Sequence, residues 1–567
     1  MNRLLLVPLA LALGAPLAAQ AADAASILPA EPLFTMHIDG PAKLRAAFLP
    51  TNLGRMFASA EGQDLIAPFT KMLEHIKKGG EAPFDVEAVE KAAYAYTGRM
   101  TLAAQLLDEK IDFNDPAPPL FVVAVVLSPD GKTDLEALCA KSREIAAKRL
   151  GDRLADLKHG THTLSYMTAD KEPTFCTPFM HKGHAVALVS QDMKKAAEWL
   201  FGGEAKPHAC SDRIRKASIG VWVNVKRIIK LVETGAAASL GPRWDKLGRH
   251  ILDATGIKSI DHMEGTYRAV GPAVVSDNVL HFNQNDRGAI EAFISTKPTK
   301  TTLVDLLPRA AAAATAIPFD IQPIFNSVKG VFAKLGADAP MTFDGLLEGF
   351  KEHYGLRLKE DLIDKFGSGL MSFSMDSEDE PDPMNPASAV RGMCLGFGLR
   401  GGAELAKTLD TMLRKDGLHA GRKTTDYKGV QMHMINIMGF VEVNYAVTDS
   451  LFLLGIDKDG AKGMRAALDG QVDQAAGKSA TPLPAAVMQR LGVLPGKWTG
   501  MGWTNVAAQM LSASKQLEMA AGQLPPPLQP LVGMIEKMPK LLKPFKLEHA
   551  ATLTRNDGST WTHQSIW

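Results

Sequence analysis

The sequence has few cysteines, no excess of charge of either sign and no long apolar run after its first residues. Four cysteines occur among 567 residues, and no two are spaced as Cys-x-x-Cys, so neither a dithiol redox motif nor a cysteine-based zinc site is indicated. Lys and Arg number 63 against 62 Asp and Glu, a balance that argues against a nucleic-acid partner, which favours a basic surface. No later segment reaches the roughly 18 apolar residues of a membrane helix.

The first residues have the regions of a secretion signal. Arg3 supplies the positive charge, residues 4–13 form a short apolar run, and Ala19-Gln20-Ala21 fits the small-residue cleavage rule. We expect cleavage after Ala21, although an uncleaved anchor remains the alternative. The protein is therefore predicted to be periplasmic or extracellular, with no transmembrane helix in the mature chain.

Export permits disulfide bonds, but four cysteines allow three complete pairings and the sequence does not choose among them. Cys176 and Cys210 are the closest pair along the chain. Cys139 and Cys394 have the pattern of small apolar residues within a helix and a strand, where buried free thiols are common.

A four-residue marker indicates an internal duplication. Trp222-Val223-Asn224-Val225 recurs as Trp503-Thr504-Asn505-Val506, and each follows a Leu-Pro start, Leu28-Pro29 or Leu307-Pro308, at a nearly equal distance. A strand Trp buries a large ring, and an Asn at a strand end can cap the next helix. The marker is therefore interpreted as architectural.

The pattern of segments predicts an α+β fold made of two tandem copies of a strand–helix–strands–helix–strand unit. This order resembles an elaborated ferredoxin-like arrangement with mainly antiparallel sheets. The predicted limits are 1–21 for the signal peptide, 22–300 for the first copy and 301–567 for the second. Strands are expected at 33–38, 121–127, 161–167, 174–180, 185–190, 219–225, 393–399, 430–437, 441–447, 451–456 and 501–506. Two hairpin-like segments, 265–282 and 550–565, are expected to end the copies. Helices are expected at 134–150, 191–201, 403–413 and 461–468, and one with Leu44, Phe48 and Leu53 on its apolar side.

Two His-x-x-His pairs are the main candidates for a metal site. His159/His162 and His181/His184 could each place two imidazoles near one ion if they lay on a helix. Both pairs fall at predicted turns, and His181 to His184 has the form of a hairpin tip. No acidic residue lies beside either pair, so exposed turn histidines are the simpler interpretation.

Four other short segments lack the residue spacing of the functional motifs they resemble. The acidic segment 376–382 does not match an EF-hand loop, and Asp457-Lys458-Asp459-Gly460 is interpreted as the turn before a helix. Gly477-Lys478-Ser479 lacks the first Gly of a phosphate-binding loop, because Val472 stands there. Gly367-Ser368-Gly369 lacks the spacing of a hydrolase elbow. The sequence thus assigns no catalytic, cofactor-binding or metal residue.

Residues 531–542 place Leu531, Met534, Ile535 and Met538 at helical spacing, with Pro539 limiting the last turn. Packing against the protein's own sheet is favoured over peripheral contact with a membrane.

The sequence resembles a family of exported bacterial proteins of unknown function. The resemblance lies in residues 28–39, in Thr51-Asn52-Leu53-Gly54-Arg55 and in residues 355–362. The resemblance implies a signal peptide and this fold, and carries no catalytic residues with it. The leading hypothesis is an exported, non-catalytic binding or scaffold module of the envelope, with a protein, peptide or lipid partner. The alternative is a secreted hydrolase or metal-dependent enzyme whose site is assembled from separate segments.

Overall fold

The structure is a computed structural model, and it describes most of the chain after the predicted signal. The described residues are 27–29, 32–65, 67, 96–108, 119–168, 174–202, 211–283, 287–294, 301–375, 392–437, 441–475, 487, 490–491, 498–507 and 537–567. The predicted signal peptide, the acidic segment 376–382, Gly477-Lys478-Ser479, Cys210 and residues 531–536 lie outside this part of the chain.

The chain forms two compact units. The first comprises Met1–Trp244 and Ile260–His281, and the second comprises Asp245–Ser259 and Phe282–Trp567. Both combine helices with antiparallel strands, so the predicted α+β class is confirmed. The limits 22–300 and 301–567, and the origin of the units as tandem copies, remain predictions.

The strands up to residue 282 belong mainly to one antiparallel sheet. They are β1 (Phe34–Asp39), β2 (Arg99–Leu106), β3 (Phe121–Leu127), β4 (Leu154–His159), β5 (His162–Met167), β6 (Thr174–Phe175), β7 (Phe179–His181), β8 (His184–Ser190), β9 (Ile219–Val223), β10 (Ile260–Val270) and β11 (Ala273–Phe282). Neighbouring strands follow the order β10–β9–β1–β2–β3–β8, and β6 and β7 both pair with β8. Strands β4 and β5 form a separate hairpin.

The helices whose bounds the structure describes accompany these strands. They are α1 (Pro41–Phe48), α2 (Asn52–Ala58), α3 (Leu135–Leu150), α4 (Met193–Phe201), α5 (Asp212–Lys216) and α6 (Val225–Leu240). The starts of α2 to α6 are set by side chains that accept hydrogen bonds from otherwise unpaired N–H groups. Asp134 caps α3, Asp192 caps α4 and Asn224 caps α6.

The core of the first unit lies where β3 and β8 meet α4. Val122, Ala124 and Val126 on β3 are completely buried, which explains why this strand is a continuous apolar run. The apolar stripe of α4 covers these residues, and Ile27 and Leu28 belong to the same buried cluster. The start of the described chain is therefore part of this core.

The second unit repeats this strand order. Its strands are β12 (Ala313–Ile317), β13 (Phe366–Ser374), β14 (Met393–Leu399), β15 (Lys423–Tyr427), β16 (Val430–Ile437), β17 (Val441–Val447), β18 (Leu451–Ile456), β19 (Gly500–Asn505), β20 (His549–Asn556) and β21 (Thr560–Ile566). The order β20–β19–β12–β13–β14–β18 matches that of the first unit strand for strand. Strand β21 extends it at one edge, and β17, β16 and β15 extend it at the other. The helices are α7 (Arg249–Thr255), α8 (Gln322–Leu335), α9 (Phe343–Tyr354), α10 (Gly402–Lys415) and α11 (Asp457–Ala475).

The two tryptophan markers occupy matching places in these sheets. Trp222 lies opposite Thr35 on β1, and Trp503 lies opposite Ala314 on β12. Both tryptophans are buried. The backbone N–H of Asn224 donates to the carbonyl of Leu33, two residues before Thr35. The backbone N–H of Asn505 donates to the carbonyl of Ala312, two residues before Ala314. The marker is thus used architecturally in both places.

Several local predictions were wrong. The single helix expected around Leu44, Phe48 and Leu53 is two helices, because the Thr51 hydroxyl caps a new start by accepting the Gly54 N–H. The strand expected at 174–180 is broken between β6 and β7, where Pro178 lacks the N–H that a strand ladder needs. Segment 457–460 begins α11 instead of preceding it.

Two further observations concern export and membranes. The described cysteines Cys139, Cys176 and Cys394 are free and buried. Among the residues that the structure describes, no helix is both long and apolar enough to cross a membrane.

Candidate functional site

Each His-x-x-His pair forms a tight hairpin turn, as the sequence predicts. His159 lies opposite His162 where β4 meets β5, and His181 lies opposite His184 where β7 meets β8. The second turn has positive φ at both central residues, Lys182 and Gly183, the geometry whose twist matches that of the flanking strands. Directly opposed residues point to the same side of a hairpin, so each pair presents two imidazoles together.

The expectation of exposed turn histidines was wrong for the second pair. His181 is 7% exposed and His184 is fully buried. The reason is that their face of the hairpin turns towards the core beneath α4. His159 and His162 are half-buried beside them.

Three of the four histidines gather around one phenylalanine at the end of α4. The ring centroids of His162, His181 and His159 lie 4.6, 5.1 and 5.3 Å from that of Phe201. His181 Nδ1 is 3.2 Å from His162 Nε2, which is one hydrogen bond between the two rings. Burial, together with the smaller effects of positive charge on His162, Lys182 and His184, lowers the pKa of His181 to about 4. His181 is therefore neutral at pH 7.

A pocket of about 350 Å³ opens beside these rings, at the small end of the range for ligand sites, about 300–1,000 Å³. Its other walls are aliphatic, from Ile27, Leu28 and Leu200, with Lys182 at the exposed rim. No Asp or Glu occurs among the described residues that line it. The pocket suits a small apolar group better than a metal ion, and no third ligand joins His162 and His181 in the described chain.

A larger groove of about 690 Å³ lies in the second unit, between α7, α8 and the turn that follows Arg287. Arg287 is 8% exposed, and its Nε and Nη1 atoms have no hydrogen-bond partner among the described residues. Its backbone is held closely, because Gly256 ends α7 with φ +75° and a Cβ there would lie 1.6 Å from the Arg287 carbonyl oxygen. Only glycine permits this approach.

Three acidic residues, Asp253, Glu291 and Asp320, line the groove, and the first and last of them contact other groups. Asp253 pairs with Lys258 at 2.5 Å and with Lys334 at 3.7 Å. Asp320 accepts the Gln322 N–H at 3.0 Å. Because a buried guanidinium is unfavourable without an anion, the groove is suited to a carboxylate or phosphate group.

A third cluster was missed in the sequence. His262 and Glu264 on β10 and His281 on β11 bring one ligand atom each within 4.8 Å of one another. Burial raises the pKa of Glu264, but interactions with His281, the Ser211 amide and Arg213 outweigh it and lower that pKa to about 2. The His-x-Glu alternation on a strand was the available signal. The approach of His281 could not be predicted, because it depends on the register between β10 and β11.

The remaining sequence candidates do not form sites. Gly367-Ser368-Gly369 lies within β13, at an irregularity in the pairing with β14 between Phe366 and Leu370, and not at a strand-to-helix turn. Asp457, the first residue of α11, accepts the N–H groups of Asp459 and Gly460 at 2.8 and 3.2 Å, so its carboxylate satisfies the helix start. In the described part of 531–542, Leu542 is 4% exposed, which favours packing over membrane contact at that residue.

No protein-family model matches the chain, and no curated protein matches it. Among solved structures, "Structure of crystal form III of TP0453" is similar at a TM-score of 0.23 and 11% identity, covering 47% of this chain and 82% of that chain. "Structure of crystal form I of TP0453" is similar at a TM-score of 0.21 and 12% identity, covering 47% and 80%. Similarity at this level carries no argument about function.

Proposed function

We propose that the protein is an exported, non-catalytic binding or scaffold module of the bacterial envelope. It holds a peptide, protein or lipid partner through an anionic group in the groove lined by Arg287. The observation that carries this proposal is the buried guanidinium of Arg287, which has two nitrogens without a hydrogen-bond partner among the described residues. Ordinary folding does not favour such an arrangement, since a buried charge is retained when something pairs with it.

The groove offers more than one cation to an anionic group. Lys334 on α8 also lines it. A peptide carboxylate and a lipid phosphate both carry the negative charge and the hydrogen-bond acceptors that Arg287 would bind. The mass of the bound species distinguishes them.

Native mass spectrometry of the mature protein, purified gently from the envelope fraction of its own cells, tests the proposal. We expect a reproducible added mass on the wild-type chain. The added mass is expected to disappear in Arg287→Gln, which keeps a polar side chain but removes its charge.

The matched control is Lys329→Gln, on the exposed surface of the same helix α8 and not among the residues lining the groove. It should retain the added mass. A bare polypeptide mass for the wild type, or an added mass that survives in Arg287→Gln, would contradict the proposal. Circular dichroism of each variant shows whether it has folded.

Export is proposed on the signal-like first residues and on the family resemblance. Sequencing of the N-terminus of the protein from the periplasmic or culture fraction should begin at Ala22, the residue after Ala21. Full-length protein retained in the cytoplasm would contradict it.

We further propose that the two units arose by duplication. The matching strand orders and the equivalent partners of Trp222 and Trp503 support this. Binding in one unit need not be repeated in the other, because Arg287 and the histidine pocket each belong to one unit alone.

A second candidate function, a hydrolase or metal-dependent enzyme, is favoured by the meeting of His262, Glu264 and His281 from two strands. Turnover of ester, peptide or phosphodiester model substrates in the presence of Zn²⁺, abolished in Glu264→Gln, would support it. Absence of turnover with all three classes of substrate would contradict this second candidate function.

A further inference from the structure

Two neighbouring strands of the first unit place a carboxylate between two imidazoles. His262 and Glu264 are two residues apart on β10, so both side chains leave the same face of the strand. The ring of His281, on β11, stacks on that of His262 with centroids 4.1 Å apart and planes 10° apart. His281 Nε2 lies 3.7 Å from Glu264 Oε2.

The hydrogen bond on the far side of His262 prepares its ring as a ligand. His262 Nδ1 lies 2.9 Å from the carboxylate of Asp261. A proton held on Nδ1 by that carboxylate leaves Nε2 as the nitrogen with a free lone pair. Histidines that bind metals in proteins are commonly oriented in this way by a second carboxylate.

Glu264 is 3% exposed, which is rare for a carboxylate without a cationic partner. One of its oxygens accepts the Ser211 N–H at 3.3 Å, and this neutral donor also fixes the side-chain direction. The other oxygen faces His281.

Charge around the cluster favours a cation. Arg213 is the nearby guanidinium, but it lies 3.4 Å from Asp277 and also donates to the Asp277 carbonyl. Arg213 also attracts Glu264, but the carboxylates of Asp261, Glu264 and Asp277 outnumber this guanidinium and remain to balance a divalent ion.

We propose that His262, Glu264 and His281 bind a divalent transition-metal cation of the Zn²⁺ class. Two imidazoles and one carboxylate suit Zn²⁺ and its neighbours, and three protein ligands leave one position open for water or a partner group. The stacked rings must splay apart so that both nitrogens point at the ion. This proposal is independent of the Arg287 groove.

The second unit provides a built-in comparison. His549 lies opposite Asn505 on β19, at the place that corresponds to His262 next to Asn224 in the first unit. The residue two further along is Ala551 instead of Glu264. His549 therefore stands in the same strand position without the carboxylate, and it serves as the matched control.

The test is isothermal titration of ZnCl₂ into mature protein that has been treated with a chelator and dialysed. We expect one Zn²⁺ site in the wild type. Glu264→Gln and His281→Asn should each weaken Zn²⁺ binding tenfold or more, and Asp261→Asn should weaken it roughly tenfold. His549→Asn and His162→Asn should leave it unchanged, the second because the histidine pocket is a separate cluster.

The proposal is overturned if the wild type does not bind Zn²⁺, or if Glu264→Gln and His281→Asn bind it as the wild type does. Loss of binding in His162→Asn alone would assign the ion to the histidine pocket and also overturn it. X-ray absorption of the wild type with Zn²⁺ covers the case in which a variant fails to fold. It should show nitrogen and oxygen ligands at about 2.0–2.2 Å, and anomalous scattering from a crystal should place the ion between β10 and β11.

Discussion

The Nδ1 atom of His181 lies 3.2 Å from the Nε2 atom of His162, so the turns carrying the two His-x-x-His pairs meet at one hydrogen bond. Only one of these nitrogens can hold the shared proton while the other accepts it. The arrangement therefore requires that at least one ring be neutral, and it couples the stability of the first unit to pH.

Acidification should destabilise the protein through His181. Its pKa is about 4 in the folded state against 6.5 ordinarily, so between these values the unfolded chain binds a proton that the folded chain does not. Stability should therefore fall as the pH drops from 6.5 to 4 and show no further effect of this group below 4. The contribution is up to about 3 kcal/mol.

Urea unfolding of the wild type and of His181→Asn from pH 7.5 to 4 measures this effect. The difference between their free energies of unfolding should change over that window by the stated amount. His353→Asn, at an exposed histidine of the second unit, is the control and should track the wild type. Parallel curves for the wild type and His181→Asn would contradict the assignment.

Asp130 should be a strong local determinant of stability. It is 2% exposed and accepts the N–H groups of Thr97, Lys132 and Thr133 at 2.7, 2.9 and 2.6 Å, besides the Thr97 and Thr133 hydroxyls. Burial raises the pKa of this carboxyl, but these hydrogen bonds outweigh it and lower the pKa below 3.8. Its contribution is thus present above pH 3.8 and is lost as the pH falls below that value.

Asp130→Ala should lower the free energy of unfolding by about 3 kcal/mol or more, because several donors to a charged acceptor lose their partner together. Asp134→Ala removes only the cap of α3 and should lower it by about 1 kcal/mol. Urea titrations of both variants at pH 7 compare the two losses. Equal losses would show that the buried network contributes no more than a helix cap.

The strands with continuous apolar runs were predictable from sequence, whereas those that depend on their neighbours were not. Phe121–Leu127 has the composition of a buried strand and is one. The sequence of β2, Arg-Met-Thr-Leu-Ala-Ala-Gln-Leu, has no such run. It is a strand because it pairs with β1 on one side and β3 on the other, and these contacts override a weak local preference.

In the candidate sites, too, features set by local sequence were predictable and features set by neighbouring elements were not. The turn position of His181 was predictable, because Lys-Gly between two strands favours a hairpin. Its burial was not, since burial depends on α4 packing across that hairpin. The cluster of Glu264 and His281 depends on the register of two strands, which local sequence does not specify.

The cap of α6 should contribute measurably to stability. The Asn224 side chain accepts the Arg227 N–H at 2.9 Å, as the sequence predicted for this residue. Asn224→Ala should lower the free energy of unfolding by about 1 kcal/mol. Asn224→Ser should lower it by much less, because Ser also caps helices well. Thermal unfolding of both variants checks this, and equal losses would show that the effect is not capping.

Trp503 should matter through both its ring and its nitrogen. It is 2% exposed, and Nε1 donates to the Ala311 carbonyl at 3.3 Å. Trp503→Ala should cost about 3–5 kcal/mol, and Trp503→Phe should cost less because it keeps most of the buried ring. Trp567→Phe, at a residue 40% exposed, should stay within about 0.5 kcal/mol of the wild type. A chemical denaturation series that failed to rank the variants in this order would contradict the packing role.

The described thiols should be unreactive until the protein unfolds. Cys139, Cys176 and Cys394 are 7%, 2% and 0% exposed. Burial raises the pKa of Cys139 to about 11 and that of Cys394 to about 12, and it also raises the pKa of Cys176. Since the thiolate is the reactive form, neither access nor ionisation favours reaction at pH 8.

The measurement is a thiol titration with an aromatic disulfide reagent in a Cys210→Ser background, which removes the cysteine outside the described residues. The folded protein should show no fast-reacting thiol. In denaturant without a reductant it should show the three thiols of Cys139, Cys176 and Cys394. Fewer than three in denaturant would reveal a disulfide among them. A fast thiol in the folded protein would show that at least one of these side chains reaches solvent, and individual Cys→Ala variants would identify it.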